Sequence, residues 1–347
     1  IAATATPEGG GVAQNVDAVP SASAAGSSDP PLFVLPVVTT PSSRTNVGFV
    51  ETSGAAGVVR IIVRRPGGEI VSTSEVPLAP FGHEQLPVVS GDEWCVAQIG
   101  VVSGAARIIG YESSIDARSG DGTFVPARPL STAATTLTLT AVGHVEGAVG
   151  KTWDTELWYA TPAVGAGGAA RFTYRPATRS GDATETILTP LHTDAVVPEM
   201  FRMIGNTSGQ LDVDLPAGAL VSARTYTASG NGGRAGDRVF AVRSGAAELD
   251  ALHIESSASL RTNIGVTALD EVPTAVRVTL LDASGRQLAV SDRLLQPRGS
   301  IQIGIRSLYA GTVTGGRVRF EATGGRIAAY ASVVDNLTQD SVIVEAR

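Results

Sequence analysis

Ser43-Arg44-Thr45-Asn46-Val47-Gly48-Phe49 returns as Leu260-Arg261-Thr262-Asn263-Ile264-Gly265-Val266, and the likeness runs on for the length of a domain. Arg44 and Arg261, Gly68 and Gly285, Pro80 and Pro297, and Gly82 and Gly299 all lie 217 residues apart. From Arg107 and Arg326 onward, through Tyr111 and Tyr330, Asp116 and Asp335, and Ala127 and Ala346, the spacing is 219, so the copies differ by two residues in one loop. Between them Trp153-Asp154-Thr155-Glu156-Leu157-Trp158-Tyr159 fits the first motif, with Thr155 lying 110 residues after Thr45 and 107 before Thr262. Such a chain is a tandem array of three domain-sized units.

Within each unit the pattern is that of strands. Thr45 to Glu51, Val58 to Arg64, Glu69 to Val76, Cys95 to Val101 and Ala106 to Ser113 are separated by turn signals such as Pro66-Gly67-Gly68 and Pro80-Phe81-Gly82. The third unit repeats this order at Ala275 to Asp282, Gln287 to Leu294, Arg317 to Ala322 and Arg326 to Val334. In Val276-Arg277-Val278-Thr279-Leu280 the apolar positions fall on one face, as burial with period two requires. The middle unit diverges, with Arg171 to Pro176 in the place of the Ile61 strand and Leu220 to Tyr226 in the place of the Tyr330 strand. Short strands with frequent turns and no helical period predict an all-β fold of three tandem antiparallel immunoglobulin-like β-sandwiches, at residues 32–130, 131–245 and 246–347.

Residues 1–31 are Ala-, Gly-, Ser- and Pro-rich, with a weak apolar series at Val12, Val16 and Val19. A segment with so little hydrophobic surface orders only against another surface. It is expected to run extended along a neighbouring subunit and join subunits by strand addition to an open sheet edge.

Composition excludes several roles. Among 347 residues only 17% are charged, the net charge is −7 and Lys151 is the single lysine, so no basic footprint for nucleic acid exists. No stretch approaches the roughly 20 apolar residues that span a bilayer. One cysteine, Cys95, rules out an intramolecular disulfide framework and reads as a small buried hydrophobe. The sequence opens at Ile1 with no initiator Met and no basic or apolar leader, which suits a mature secreted chain or a segment of a longer one.

The series Arg-Thr-Asn-Val/Ile-Gly, a Gly-containing hairpin, Pro-x-Gly and a closing Tyr330-Ala331-Ser332-Val333-Val334-Asp335-Asn336 resembles tandem β-sandwich repeats of bacterial secreted and cell-surface proteins, over residues 32–347. The middle unit is similar to a variant with Trp-Arg-Thr-Asp-Leu and Ser-Ser-Arg-Thr-Tyr in the two motif strands, from which it departs by carrying Asp154 for Arg. The resemblance implies an adhesive, spacer or structural role and transfers no active site.

Candidate sites are few. His83, His144, His192 and His253 are dispersed without metal-ligand spacing, and neither a Gly-x-Ser-x-Gly elbow nor a phosphate-binding Gly-Lys loop occurs. Gly230 to Gly236 reads as a flexible hairpin tip. Asp116/Asp121 and Asp335/Asp340 place two carboxylates in one turn. Such a turn reads either as a calcium loop, for which two carboxylates are few, or as an Asx turn, which is favoured. Arg44-Thr45-Asn46 and Arg261-Thr262-Asn263 read as structural repeats, Arg pairing across strands and Asn closing a turn. Asn206 and Asn336 head formal glycosylation sequons.

No catalytic, metal-binding or cofactor-binding residue is therefore assigned. The sequence predicts a non-catalytic extracellular structural protein, a self-assembling subunit of a bacterial surface fibre, appendage or layer. The alternative is a secreted adhesion module that binds glycan or protein through loops at a sandwich end.

Overall fold

A computed structural model describes residues 2–5, 11–16, 18–65, 68–90, 94–147, 150–162, 169–177, 186–188, 194–196, 201, 205–230 and 232–347. The chain opens with a hairpin of β1 (Ala2–Ala5) and β2 (Gly11–Gln14), followed by a 3-10 turn at Ser21–Ser23. The first repeat holds β3 (Leu32–Val38), β4 (Ser43–Glu51), β5 (Gly57–Arg64), β6 (Ile70–Leu78), β7 (His83–Val88), β8 (Trp94–Gly104), β9 (Ile108–Asp116), β10 (Gly122–Pro126) and β11 (Arg128–Pro129). The middle repeat holds β12 (Thr135–Glu146), β13 (Thr152–Ala160), β14 (Arg171–Pro176), β15 (Thr186–Leu188), β16 (Asp194–Val196), β17 (Thr207–Leu215), β18 (Leu220–Ala228), β19 (Arg234–Arg238) and β20 (Ala241–Val242). In the third are β21 (Glu248–Ser256), β22 (Leu260–Ala268), β23 (Thr274–Leu281), β24 (Gln287–Leu295), β25 (Ser300–Gly304), β26 (Val313–Thr323), β27 (Ile327–Asp335) and β28 (Ser341–Glu345).

The chain is all-β, and every strand pairing between these elements is antiparallel. One connectivity recurs in all three blocks. Sheets β10-β9-β4-β7 and β11-β3-β8-β5-β6 are matched by β28-β27-β22-β25 and β21-β26-β23-β24. The place of β11 is taken by Arg347, which exchanges main-chain hydrogen bonds with Asp250. In the middle block the equivalents β19-β18-β13-β16 and β20-β12-β17-β14-β15 are fused into one nine-stranded sheet, because β12 also pairs with β13 at His144–Glu146. A bulge between Leu139 and Val142, with Ala141 at φ 59°, turns β12 between its partners. Among the described residues no sheet crosses position 131 or 246.

Alternation explains where the cores lie. Val47 and Phe49 of β4 meet Val59, Ile61, Val63 and Ile99 of the facing sheet, and Ile264 and Val266 meet Val276, Val278, Leu280 and Phe320 in the same way. The middle core is built on Leu157, Tyr159, Phe172, Tyr174, Leu211 and Val213. The motif threonine is buried in each block, and the Thr45 and Thr262 hydroxyls donate to the carbonyls of Val38 and Glu255 on the preceding strand. The motif thus fastens one strand to the strand before it. The two-residue difference between the copies falls after β7 and β25, where the third repeat inserts α1 (Ile305–Leu308), a short helix that the strand pattern had not predicted.

The motif glycine faces away from the core and leaves room for an aromatic ring across the strand pair. Gly48 lies opposite Tyr111 and Gly265 opposite Tyr330. A Cβ added to either glycine would come within 2.3 Å and 2.1 Å of the ring, respectively. In the middle repeat the sizes are exchanged, Trp158 standing opposite Ser222. These outward rings build the joints. Trp158 packs with Phe33, Leu35 and Val96 of the first repeat, and Tyr330 packs with Phe240 of the middle one. The joints between repeats are therefore packed ones.

Residues 1–31 differ from expectation. They carry a hairpin of their own, and the described part is held by the same chain: Ala25 bridges Ile108, and β2 hydrogen-bonds to the third repeat. Within this chain the Gly11 and Ala13 N–H groups of the segment find acceptors on the third repeat.

Gly265→Val should cost about 1–3 kcal/mol, the usual price of overpacking. Adding Tyr330→Ser, the size arrangement of the middle repeat, should restore much of it. Denaturant unfolding of the single and double variants checks this; additive losses would contradict the complementary pair.

Candidate functional site

The two acidic turns are superimposable in their bonding. Asp116 Oδ1 accepts the N–H groups of Arg118 and Ser119 at 2.9 and 2.8 Å, and Asp335 Oδ1 those of Leu337 and Thr338 at 2.8 and 2.9 Å. The chain closes through Asp116 N–H to the Asp121 carbonyl and Asp335 N–H to the Asp340 carbonyl, both 2.8 Å. Gly120 and Gln339 take the left-handed conformation, φ 76° and 62°, that the turn requires. These are Asx turns, the favoured one of the two sequence readings.

Each turn directs its remaining oxygens at the edge of an extended strand. In the first repeat Asp116 Oδ2 accepts Arg234 N–H at 3.1 Å, Ser119 Oγ donates to the Arg234 carbonyl at 2.6 Å, and Asp121 Oδ2 accepts Gly236 N–H at 2.9 Å. In the third, Asp335 Oδ2 accepts Gly11 N–H at 3.1 Å, Thr338 Oγ1 donates to the Gly11 carbonyl at 2.8 Å, and Asp340 Oδ2 accepts Ala13 N–H at 2.6 Å. Residues i and i+2 of a strand present their N–H groups to one edge, so Asp-x-x-Ser/Thr-x-Asp reads main chain independently of side chains. Asp116, held against the raising effect of burial below the ordinary carboxylate range by N–H donors of Ser119, Arg118 and Arg234, is an ionised acceptor and makes the stronger kind of bond.

The glycines beside the first clamp have a steric reason. A Cβ on Gly233 would lie 2.5 Å from Asp116 Oδ1, and one on Gly236, at φ 155°, 2.2 Å from the Thr225 carbonyl. The Gly230–Gly236 hairpin tip expected from sequence is corrected on this point: strand β19 begins at Arg234, and its glycines permit close approach to the turn.

Behind the clamps lies a buried charge cluster drawn from all three repeats. Arg224 reaches Asp121 Oδ2 at 2.8 Å, and Asp237 Oδ2 accepts Ile343 N–H at 2.9 Å. Burial, followed by the charge of Asp340, holds the Asp121 carboxyl well above its ordinary range, and burial raises Asp340 as well. Burial pushes Asp237 up to about 7 and Glu112 up to about 8, against the opposing pull of Arg238 on both and of Arg224 on Glu112. The Asp121 and Asp340 carboxyls lie within hydrogen-bonding reach, while the Oδ1 of each lacks a donor. Two carboxyls placed in this way titrate as a pair and hold a proton above the ordinary carboxylate range.

Other predicted positions are dispersed. His83 bonds the Tyr111 hydroxyl and His144 bonds Asp154, each at 2.5 Å, His253 lies on β21, and His192 falls outside the described residues. Cys95 is buried in the first core. Arg44 is exposed, whereas Arg261 donates to Asn336 at 2.8 Å and Gln339 at 2.7 Å. The sequon residues are engaged too, Asn206 accepting from Glu146 N–H at 2.8 Å and Asn336 donating to the Ala258 carbonyl at 3.0 Å. Among the described residues no group of three or more His, Cys, Asp or Glu is placed to hold a metal ion, and no helix is long and apolar enough to cross a membrane. A cleft of about 410 Å3 between the first and middle repeats is lined by Glu112, Asp116, Glu156, Trp158, Arg224 and Arg234.

Sequence reasoning passed over Glu112, Arg224, Asp237 and the docked residues 11–13. One signal was present: Gly9-Gly10 and Val16, Ala18 and Val19 recur 223 residues on as Gly232-Gly233 and Val239, Ala241 and Val242.

No family model and no curated protein matches the chain. Among solved structures, dimeric latent PorU from Porphyromonas gingivalis is similar at 11% identity and a TM-score of 0.16, over 84% of this chain and 29% of that one. A likeness of that size carries no argument about fold or role.

The raised carboxyls fix the sign of a pH dependence. The folded chain keeps protons that unfolded Asp and Glu release near pH 4, so stability conferred by these protons is full below about pH 4 and declines as pH rises through 7 and 8. The unfolding free energy from urea titrations should fall between pH 5 and 8.5 by several kcal/mol, about 1.4 kcal/mol per pH unit for each proton the fold retains, and Asp121→Asn should flatten the fall. A free energy that climbs over this range would refute the protonated acidic junction.

Proposed function

We propose that this chain is a non-catalytic, extracellular structural protein, a self-assembling subunit of a bacterial surface fibre, appendage or layer. On this reading residues 32–130, 131–245 and 246–347 are three immunoglobulin-like β-sandwich domains, and 1–31 is a joining segment. The observation that carries it is the use made of the acidic groups. Asp116, Asp121, Asp335 and Asp340 each give one oxygen to a main-chain N–H group of a strand from elsewhere in the chain. Carboxylates committed in this way act as fasteners and are poorly placed to serve as acid or base catalysts. Packed aromatic joints at Trp158 and Tyr330 favour a stiff array, which suits a load-bearing or spacing part.

The adhesion reading has the charged cleft between the first and middle repeats in its favour. It would take a polar ligand there; Trp158, only 8% exposed, offers no open ring face for stacking a sugar.

Native mass spectrometry and negative-stain imaging of the intact chain over a concentration series test the assembly role. Ordered oligomers or filaments that grow with concentration are expected. Monomers at every concentration would contradict it.

A further inference from the structure

We propose that the Asp335–Asp340 turn is a docking site for the N-terminal strand pair, β1 and β2, of a second copy of this chain. The inference rests on the assembly role above for its use, and on geometry for its existence.

The hairpin replicates the closing hairpin of the middle repeat. Its pairs Ala2–Gln14, Ala3–Ala13, Thr4–Val12 and Ala5–Gly11 match Thr225–Asp237, Tyr226–Gly236, Thr227–Ala235 and Ala228–Arg234, each residue 223 positions from its counterpart. The equivalent residues meet equivalent clamps. Gly11 and Ala13 make with the third repeat the three main-chain bonds that Arg234 and Gly236 make with the first. In the first case the docked strand belongs to a complete β-sheet of another repeat, β18 and β19 being part of the middle sheet. The clamp is therefore an element that joins one repeat to the closing hairpin of another.

In the third repeat that hairpin comes with no sheet of its own. Two strands alone are marginal in water, so docking is what orders them. The hairpin hangs on a tether whose Val16, Ala18, Pro20 and Ser21–Ser23 are exposed, and the chain is next fixed at Ala24 and Ala25 by Arg107 and Ile108. Nine residues, 15–23, span up to about 30 Å when extended. A hairpin held this way can leave its own clamp and enter another with the same bonds formed, which is the condition for exchange between copies. The vacated site keeps its demand for an occupant, since Asp340 is 3% exposed and its Oδ2 has Ala13 N–H as donor. In the closed chain the tether supplies the hairpin at an effective concentration of roughly millimolar order, so exchange is revealed when the internal hairpin is disabled.

Complementation of full-length chains tests this. Ala13→Pro removes the N–H that meets Asp340 and leaves the clamp whole; Asp340→Ala spoils the clamp and leaves the hairpin whole. Mixed at micromolar concentration, the two should give a one-to-one heterodimer by native mass spectrometry that neither gives alone. A mixture of folded variants that stays monomeric overturns the proposal. Should Asp340→Ala fail to fold, a labelled peptide of residues 1–20 replaces it: saturable binding to the Ala13→Pro chain, at least tenfold weaker in Ala13→Pro/Thr338→Val, supports the site, and equal or absent binding overturns it. Heterodimers together with a wild type that never assembles would remove the assembly role and keep the docking site; wild-type filaments without heterodimers would do the reverse.

Discussion

An exposed strand edge carries N–H groups that need acceptors, and much of this molecule's tertiary order follows from how two such edges are satisfied. Carboxylates on Asx turns do it in place of another strand. A strand partner would have extended the sheet and left a new open edge. A carboxylate turn ends the pairing and at the same time ties the edge to a different repeat. The turn closes on its own main chain through Oδ1 of the first Asp, and offers Oδ2 of both Asp residues to the strand that docks.

The middle repeat shows what happens without the turn. Its corresponding segment, Ser229 to Gly233, has no carboxylate, and its tip closes by a Ser229 N–H bond to the Gly233 carbonyl. The joint to the third repeat is made by other means: Asp237 receives Ile343 N–H, Arg298 pairs with Asp212, and Phe240 packs on Tyr330 and Ile343. Two kinds of joint thus alternate along the chain, one reading main chain through a turn and one built from side chains. The charge cluster of Glu112, Asp121, Asp237, Asp340, Arg224 and Arg238 lies where they meet. Burial holds all four carboxyls above their ordinary range, and protonation there lets them share the half-buried Arg224 and the buried Arg238 without the full cost of uncompensated charge.

Much of the fold was legible in the sequence because period-two burial and spaced turns are local signals. The strands around Thr45, Ile61, Tyr330 and Arg171 lie where alternation puts them, and the 217 and 219 spacings correspond to matching strand orders. The fused middle sheet was not legible, since it depends on a bulge at Ala141 that lets one strand serve two partners. The paired acids were visible as a turn, but their outward oxygens were not, because the main chain they bind carries no side-chain signature. Arg224 and Glu112 read as ordinary strand residues; only the third dimension gathers them around Asp121. The N-terminal segment was not legible as a copy of Gly232 to Val242, because the two share little beyond small residues and spaced valines and no chemical motif.

The central claim is that carboxylate turns hold extended main chain from another part of the molecule, and amide hydrogen exchange tests it at single residues. The Gly11, Ala13, Arg234 and Gly236 amides should be protected in the intact chain, with Asp116→Ala releasing Arg234 and Gly236 while the β4 and β9 amides of the first repeat stay protected. Exchange of all four at the rate of an open peptide in the intact chain, alongside protected core strands, would contradict it.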